Sequence, residues 1–327
     1  MSAVQRYFSE LAQSFGDGWN RFWFTPRDVL PLSVLRVLTG LVALAWLGGQ
    51  TADLVCWFGP HGLLPLDIAR QVAGGATGQA VARLSWFYGT DSPGLLWTIH
   101  VVSLLVVAAF TVGWFTRISN VLSLVVVLSY IHRAPLITGQ LEPVLTMVLA
   151  YLCLAPTGDY LSVDRWRRKV PVGFRPRQTV GAAISQRLLQ VHVAALSVMI
   201  GLTMLAGQPW WNGTAMWLLI ARTDSRLVDL SGLHRFPFLV NAWTHGVVAF
   251  QLLYGVLIWH RLARPLLLAV AVVAWSTLAA VTGLLSYCLM MLAANVVFLS
   301  PDSLGQCYAA YCGGQRAGAG PPESFDA

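Results

Sequence analysis

Charged side chains are scarce in this chain. They make up 11% of its 327 residues, whereas a soluble globular domain carries about 25%. Lysine is nearly absent, because Lys169 is the single lysine among the 21 residues that are lysine or arginine. So few charges, together with 56% hydrophobic residues, exclude a soluble domain. The net charge of +7 is then better explained by membrane orientation than by nucleic-acid binding.

Sequence motifs for metal or nucleotide chemistry are also missing. The chain has no HExxH, GxGxxG, P-loop or GxSxG pattern, and its 7 histidines and 14 acidic residues form no tight cluster. We therefore predict neither a metal site nor nucleotide chemistry. The 5 cysteines are a weak signal. Cys307 and Cys312 are spaced to form a disulfide in an oxidising compartment, or to stay reduced in the cytosol.

Long apolar runs are what the chain does contain. Runs of about 20 apolar residues predict membrane-spanning helices. Eight candidate spans lie at about residues 30–50, 94–114, 118–133, 139–156, 187–207, 237–259, 264–281 and 283–300. The predicted fold is therefore all-α, a polytopic transmembrane bundle of about eight helices, with the lipid bilayer as its first partner.

The polar segments divide the chain into three regions. Residues 1–29 have aromatic residues spaced as in an interfacial helix, and no cleavable signal peptide is visible. Residues 30–300 form the transmembrane domain. Residues 301–327 are rich in glycine and proline and are predicted to be disordered.

Arginines concentrate in alternate loops, and the main group is the segment DRWRRKVPVGFRPR at residues 164–177. The positive-inside rule places this loop in the cytoplasm, and both termini with it. We therefore predict a multi-pass protein of a bacterial cytoplasmic membrane. Such a run mainly orients the protein, and binding to anionic lipid head groups is the second interpretation.

Ionisable side chains at membrane depth are costly, and they mark cavities or partners. His132 ends the third span and His192 lies inside the fifth, so both are catalytic candidates, as proton carriers or hydrogen-bond donors. The candidate ligand-binding residues are Arg133, Glu142, Gln190, Trp210, Trp211, Asn241 and His245. Each has a structural alternative: a bond to a neighbouring helix, a helix cap, or a place in an interfacial aromatic belt.

Four segments carry a family resemblance. They are SVLRVLTGLVALAW (33–46), WFGPHGLLP (57–65), YLSVDRW (160–166) and RLLQVHVAALSVMIGLTMLAGQPWWNGTAMW (187–217). In their order and spacing, the chain resembles the HTTM family, the membrane domain shared with vitamin K-dependent gamma-carboxylase. In that enzyme, oxygen oxidises a reduced vitamin K to its epoxide. The base so formed removes a proton from a glutamate γ-carbon, to which CO2 adds.

The chain departs from this family at the catalytic base. The resemblance implies a lysine, thought to deprotonate the hydroquinone, at the position that is Met204 here. Lys169 lies in the predicted cytoplasmic loop, and arginine cannot serve because its pKa stays above about 12. A family histidine near the end of the third span looks matched by His132.

The sequence therefore predicts a membrane protein that binds a quinone-like or lipid ligand in an outward-facing pocket within the membrane. The sequence does not identify a cofactor; a quinone or hydroquinone is one candidate, and oxidoreductase or epoxidase-like chemistry is one option. The alternative is a non-catalytic scaffold for a membrane or extracytoplasmic partner protein. Glutamate carboxylation is least favoured, because Met204 replaces the base. Whether the protein is an enzyme stays open.

Overall fold

The computed structural model describes residues 3–59, 62–65, 68–69, 85–89, 92–170, 178–222, 226–301 and 303–306. Its helices of ten residues or more, numbered α1 to α9, are Ala3–Phe24, Leu30–Gly49, Pro93–Val112, Thr116–Arg133, Leu141–Leu152, Val180–Leu205, Pro237–Leu257, Ala263–Thr282 and Leu285–Ala294. Within these ranges there is no strand, only an isolated antiparallel bridge between Arg27 and Thr179. The all-α prediction is confirmed.

Four helices, α2, α3, α6 and α8, are long and apolar enough to cross a membrane. The chain therefore fits an integral membrane protein. The other four predicted spans coincide with α4, α5, α7 and α9, of which α5 has 12 residues and α9 has 10. At about 1.5 Å per residue, these last two are shorter than the roughly 30 Å hydrocarbon core.

Helix α2 is the centre of the bundle and packs against α3, α5 and α9. Of the 18-residue apolar stretch in α2, 61% of the residues are buried. The corresponding stretches are 33% buried in α3, 33% in α6 and 28% in α8. The outer helices thus keep one apolar face for lipid. Helices α6 and α7 pack closely, since an added Cβ at Gly201 would lie 2.8 Å from the Leu252 side chain. Small residues allow such close approach in membranes.

The end of the bundle where α2, α4, α6 and α8 begin carries most of the arginines and is called the basic end. The other end is called the opposite end. At the basic end, the fully buried Arg36 of α2 donates from Nη1 to the Thr157 carbonyl (3.2 Å) and from Nη2 to the Leu161 carbonyl. These bonds fix the segment that follows α5 against α2.

Asp164 caps helix α4 from this segment. Its carboxylate accepts hydrogen bonds from the backbone N–H of Phe115 (3.0 Å) and from the backbone N–H and hydroxyl of Thr116 (both 2.7 Å). Burial alone would raise the pKa of Asp164, but these bonds and the charge of Arg168 outweigh it and lower that pKa. Asp164 is therefore ionised at neutral pH, as suits a carboxylate at a helix N-terminus.

Helix α1 exposes a stripe of large apolar side chains, including Tyr7, Phe8, Leu11, Phe15 and Trp19. Their spacing of three or four residues puts them on one face, as in a helix that lies in the membrane surface. The predicted disordered tail, with Cys307 and Cys312, falls almost entirely outside the described residues.

Candidate functional site

The opposite end gathers three of the predicted site residues. His132 and Arg133 close α4, and Glu142 opens α5 a few residues later. The buried Glu142 carboxylate accepts hydrogen bonds from Trp46 Nε1 (3.0 Å) and from the backbone N–H of Gly139 (2.8 Å). Glu142 therefore links α5 to α2 and caps the turn before its own helix.

Arg133 is fully buried and binds backbone carbonyls rather than a carboxylate. Its Nη2 donates to the carbonyls of Leu64 (2.9 Å) and Phe58 (3.3 Å), with Gly59 at 3.5 Å. Its Nε and Nη1 are buried and have no hydrogen-bond partner among the described residues. Arg133 thus holds the segment after α2 in place and keeps unused donors.

His132 has its Nδ1 buried without a partner, while its backbone carbonyl accepts a bond from the Tyr88 hydroxyl at 2.7 Å. Nearby, the sequence missed a buried pair. His100 of α3 bonds through Nδ1 to the Tyr130 hydroxyl (2.7 Å) and through Nε2 to the Thr51 hydroxyl (2.9 Å). These three side chains form a continuous hydrogen-bonded chain that could pass a proton.

Helical spacing is the signal that could have found this pair. On α3 the buried positions run Leu96, His100, Ser103, Val107, with steps of three and four residues that define one face. His100 shares that face with apolar core residues, so it points into the bundle. An interfacial position does not fit it.

A small cavity lies beside these groups. Its volume is about 10 Å³, and Trp46, Gln50, Tyr130, Thr138 and Glu142 are among its lining residues. A single water needs about 10–15 Å³, so the space admits about one water. This cavity, lined by described residues, is closed to anything larger.

His192 belongs to a different region. Its Nδ1 lies 3.1 Å from the Tyr151 hydroxyl, and Gln190 donates to the Val297 carbonyl at 2.7 Å. Both sit in the half of the bundle nearer the basic end. Tyr151 is nine residues from Glu142 along α5, which is about 14 Å at about 1.5 Å per residue. The structure therefore does not bring His132 and His192 together.

The remaining candidates lie where α6 ends and α7 begins. Asn241 donates to the Asn212 carbonyl at 3.4 Å, and His245 Nδ1 lies 3.0 Å from the Asn241 carbonyl of its own helix. Both are exposed, and Trp211 is 60% exposed. This placement is typical of an interfacial belt. Trp210 is half-buried against a separate apolar cluster.

Met204 packs against the same apolar cluster, whose buried members are Met216, Ile220, Val240, Val247 and Val281. The position at which the resemblance implies a lysine thus lies against an apolar cluster of aliphatic and tryptophan side chains. Burial against these side chains would disfavour the charged form of a base at this position. The buried members of the cluster carry no charge that could compensate.

Two larger cavities lie elsewhere. One of about 650 Å³ opens at the basic end among Thr116, Arg117, Asp159, Arg167 and Arg168. The other, of about 230 Å³, is almost wholly apolar. It lies between α8 and α9, with Val228, Trp275, Ala279, Cys288 and Leu292 among its lining residues. Neither is lined by a predicted site residue.

Within the described residues, no group of three His, Cys, Asp or Glu side chains could hold a metal ion. No protein-family model, curated protein or solved structure matches the chain. The resemblance to the HTTM family therefore rests on the four sequence segments, and function has to be argued from the geometry.

Proposed function

We propose that this is an HTTM-type integral membrane protein that binds a quinone-like or lipid ligand at its opposite end, between α2, α4 and α5. The supporting observation is the unused hydrogen-bonding capacity of Arg133 Nε, Arg133 Nη1 and His132 Nδ1, all buried. A buried polar group without a partner costs about 1–3 kcal/mol. A carbonyl oxygen, as in a quinone, is the acceptor that the two Arg133 donors lack.

The Thr51–His100–Tyr130 chain supports the same assignment. Reduction of a quinone takes up protons, so a site for a quinone needs a route by which protons arrive and leave. A histidine between two hydroxyls can accept at one ring nitrogen and donate at the other. Glutamate carboxylation remains the least favoured activity, because Met204 stands in an apolar cluster.

The alternative function, a non-catalytic scaffold, is favoured by the size of the cavity. Ligand sites usually enclose about 300–1,000 Å³, whereas the cavity that the described residues form beside Tyr130 and Glu142 encloses about 10 Å³. A quinone ring would have to displace the residues after α2 that Arg133 holds. In a scaffold, the same contacts serve only to fix that end of the bundle for a partner protein.

Purification in mild detergent followed by lipid extraction and mass spectrometry distinguishes these functions. We expect a quinone-like molecule to be enriched with the wild-type protein. His132→Ala should lower its retention by about tenfold, since losing one buried hydrogen bond costs roughly 1.4 kcal/mol. His234→Ala is the matched control, because His234 is an exposed histidine at the same end.

A wild-type protein without an enriched small molecule would contradict the ligand proposal and favour the scaffold. A loss of the ligand in His192→Ala alone would instead place it in the half nearer the basic end. That outcome would contradict the opposite-end site while keeping a ligand.

We further propose that the segments containing α4, α5, α7 and α9 also cross the membrane, the short α5 and α9 together with residues beyond their helical ends, giving eight crossings with the basic end and both termini in the cytoplasm. Contacts at both ends of α2 support antiparallel α2 and α5: Arg36 binds the Thr157 carbonyl after α5, and Trp46 binds Glu142 at its start.

Paired reporter fusions test this topology. A fluorescent protein fused after Lys169 should be active, and alkaline phosphatase should be inactive there. Fusions after Gly139, between α4 and α5 at the opposite end, should give the reverse pattern. Phosphatase activity after Lys169 would contradict the proposed orientation. Equal sidedness of the two positions would show that α5 does not cross and would contradict the eight crossings.

A further inference from the structure

Three arginines from separate parts of the chain meet at the basic end. Arg27 lies between α1 and α2, Arg187 is in α6, and Arg264 is in the first turn of α8. The Arg27 backbone pairs with that of Thr179 just before α6 (3.2 and 3.1 Å). Arg187 donates to the Phe22 carbonyl, and the Phe22 ring contacts Trp259, next to the Ile258 carbonyl that Arg264 binds. The three positive charges therefore repel one another. All three side chains are half-buried. We refer to them as the arginine triad.

The triad has no acidic partner among the described residues. The ion pairs found there join Arg168 to Asp159 and Arg226 to Asp229. Asp28 is the acid nearest to the triad in sequence, but its carboxylate accepts bonds from the Leu30 N–H (2.9 Å) and the Tyr160 hydroxyl (3.4 Å). Among the described residues, therefore, no acidic side chain pairs with the positive charges of the triad.

This arrangement is unfavourable without an anion. Burial, followed by the charge of Arg264, lowers the pKa of Arg27. Charges in a partly buried cluster are screened little by salt, whose screening length is about 8 Å at physiological ionic strength. An anion bound among the three guanidinium groups would remove the repulsion.

Two of the three guanidinium groups, those of Arg187 and Arg264, are fixed by hydrogen bonds, and each keeps donors without a partner among the described residues. Arg187 donates from Nε to the Phe22 carbonyl (3.2 Å) and from Nη1 to Gln190 Oε1 (3.0 Å), which leaves Nη2. Arg264 donates from Nε to the Ile258 carbonyl (3.2 Å), which leaves both terminal nitrogens. Groups held in this way lose little entropy when they bind an oxyanion.

Aromatic rings line the same region. The Arg187 guanidinium lies 4.1 Å from the centre of the Phe22 ring, which contacts Trp259 (5.9 Å) and Trp23 (5.1 Å). Trp23 Nε1 is buried without a partner. Tryptophan and arginine together at the ends of membrane helices are typical of the head-group layer, and the amphipathic α1 packs alongside on α6.

We propose that the arginine triad binds the phosphate group of an anionic phospholipid at the seam between α1, α6 and the start of α8. Guanidinium groups bind phosphate oxygens through paired hydrogen bonds. The aromatic residues would contact the glycerol region, and the exposed apolar faces of α6 and α8 would contact the acyl chains. This site is independent of the ligand proposed at the opposite end.

Lipid retention tests the proposal on the full chain. The protein is reconstituted in phosphatidylcholine nanodiscs with added phosphatidylglycerol, repurified in detergent, and its bound lipids are quantified by mass spectrometry. We expect phosphatidylglycerol to be enriched over the supplied mixture. Arg264→Gln or Arg27→Gln should each lower the enrichment roughly fivefold. Arg117→Gln is the matched control, because Arg117 is an exposed arginine at the same end.

A second measurement separates a lipid from a free oxyanion. Phosphatidylglycerol should raise the melting temperature of the wild-type protein in detergent, whereas inorganic phosphate at the same concentration should not. An equal effect of inorganic phosphate would overturn the lipid assignment. No enrichment in the wild type, or an equal loss in Arg117→Gln, would overturn the site. If a glutamine variant does not fold, the proposal is tested by the wild-type enrichment of phosphatidylglycerol and by the two wild-type melting temperatures.

Discussion

Arg133→Met is expected to lower the free energy of unfolding by about 3 kcal/mol, because hydrogen bonds to a charged donor contribute roughly 1.5–3 kcal/mol and their buried acceptors lose them together. In the folded protein one guanidinium nitrogen serves the carbonyls of Phe58 and Leu64. Methionine fills a similar volume but donates nothing. The segment after α2 would then lose the side chain that fixes it over α4. Thermal or denaturant unfolding in detergent micelles measures the difference.

Arg117→Met is the control for this variant, since it removes an arginine from the exposed surface of the same helix. Its effect should stay within about 0.5 kcal/mol. If Arg133→Met were as stable as that control, Arg133 would not hold the opposite end. Its burial would then have to be explained by a bound ligand alone. The comparison thus separates a structural role of Arg133 from a ligand-binding one.

Apolar length alone predicted the positions of the main helices, but not where they begin. The fifth span was predicted at 187–207, whereas α6 is Val180–Leu205. Its first two turns, VGAAISQ, end on Ser185 and Gln186, and together with Arg187 these polar residues interrupt the apolar run at the point where the predicted span began. The helix continues because Thr179 caps it by accepting from the Ala182 N–H (3.2 Å) and because Gln186 donates to the Val297 carbonyl (2.7 Å). The Gln186 bond is a tertiary contact, and the sequence does not reveal such contacts.

The grouping of candidate residues was harder to predict than their identity. A polar residue in an apolar run indicates a functional or structural group, and His132, Arg133, Glu142 and His192 were all selected on this basis. Whether two of them meet depends on their depth along antiparallel helices and on which faces pack. Both the depth of a residue and the face that packs depend on how each helix is aligned along its neighbour, which the sequence does not specify. The His100–Tyr130 bond, which joins α3 to α4, is a contact of this kind.

Gly113→Ala is expected to be at least as destabilising as the loss of Arg133. Gly113 ends α3 with φ +74°, in the left-handed region that costs a residue with a side chain roughly 1–2 kcal/mol. An added Cβ would also lie 2.5 Å from Ser162 Cβ and 2.8 Å from Arg36 Cζ. Arg36 would have to move away from the Thr157 and Leu161 carbonyls that it binds. Strain, overlap and lost bonds together should cost about 3–5 kcal/mol.

Gly246→Ala provides the matched control for this substitution. Gly246 lies inside α7 with no atom within 4 Å of an added Cβ, so alanine there should be neutral or stabilise the helix by up to about 1 kcal/mol. Unfolding in detergent should therefore move in opposite directions for the two glycine variants. A small effect of Gly113→Ala would mean that the α3–α4 turn can adopt another backbone conformation. The rigid connection from Arg36 through Gly113 to the Asp164 cap of α4 would then be contradicted.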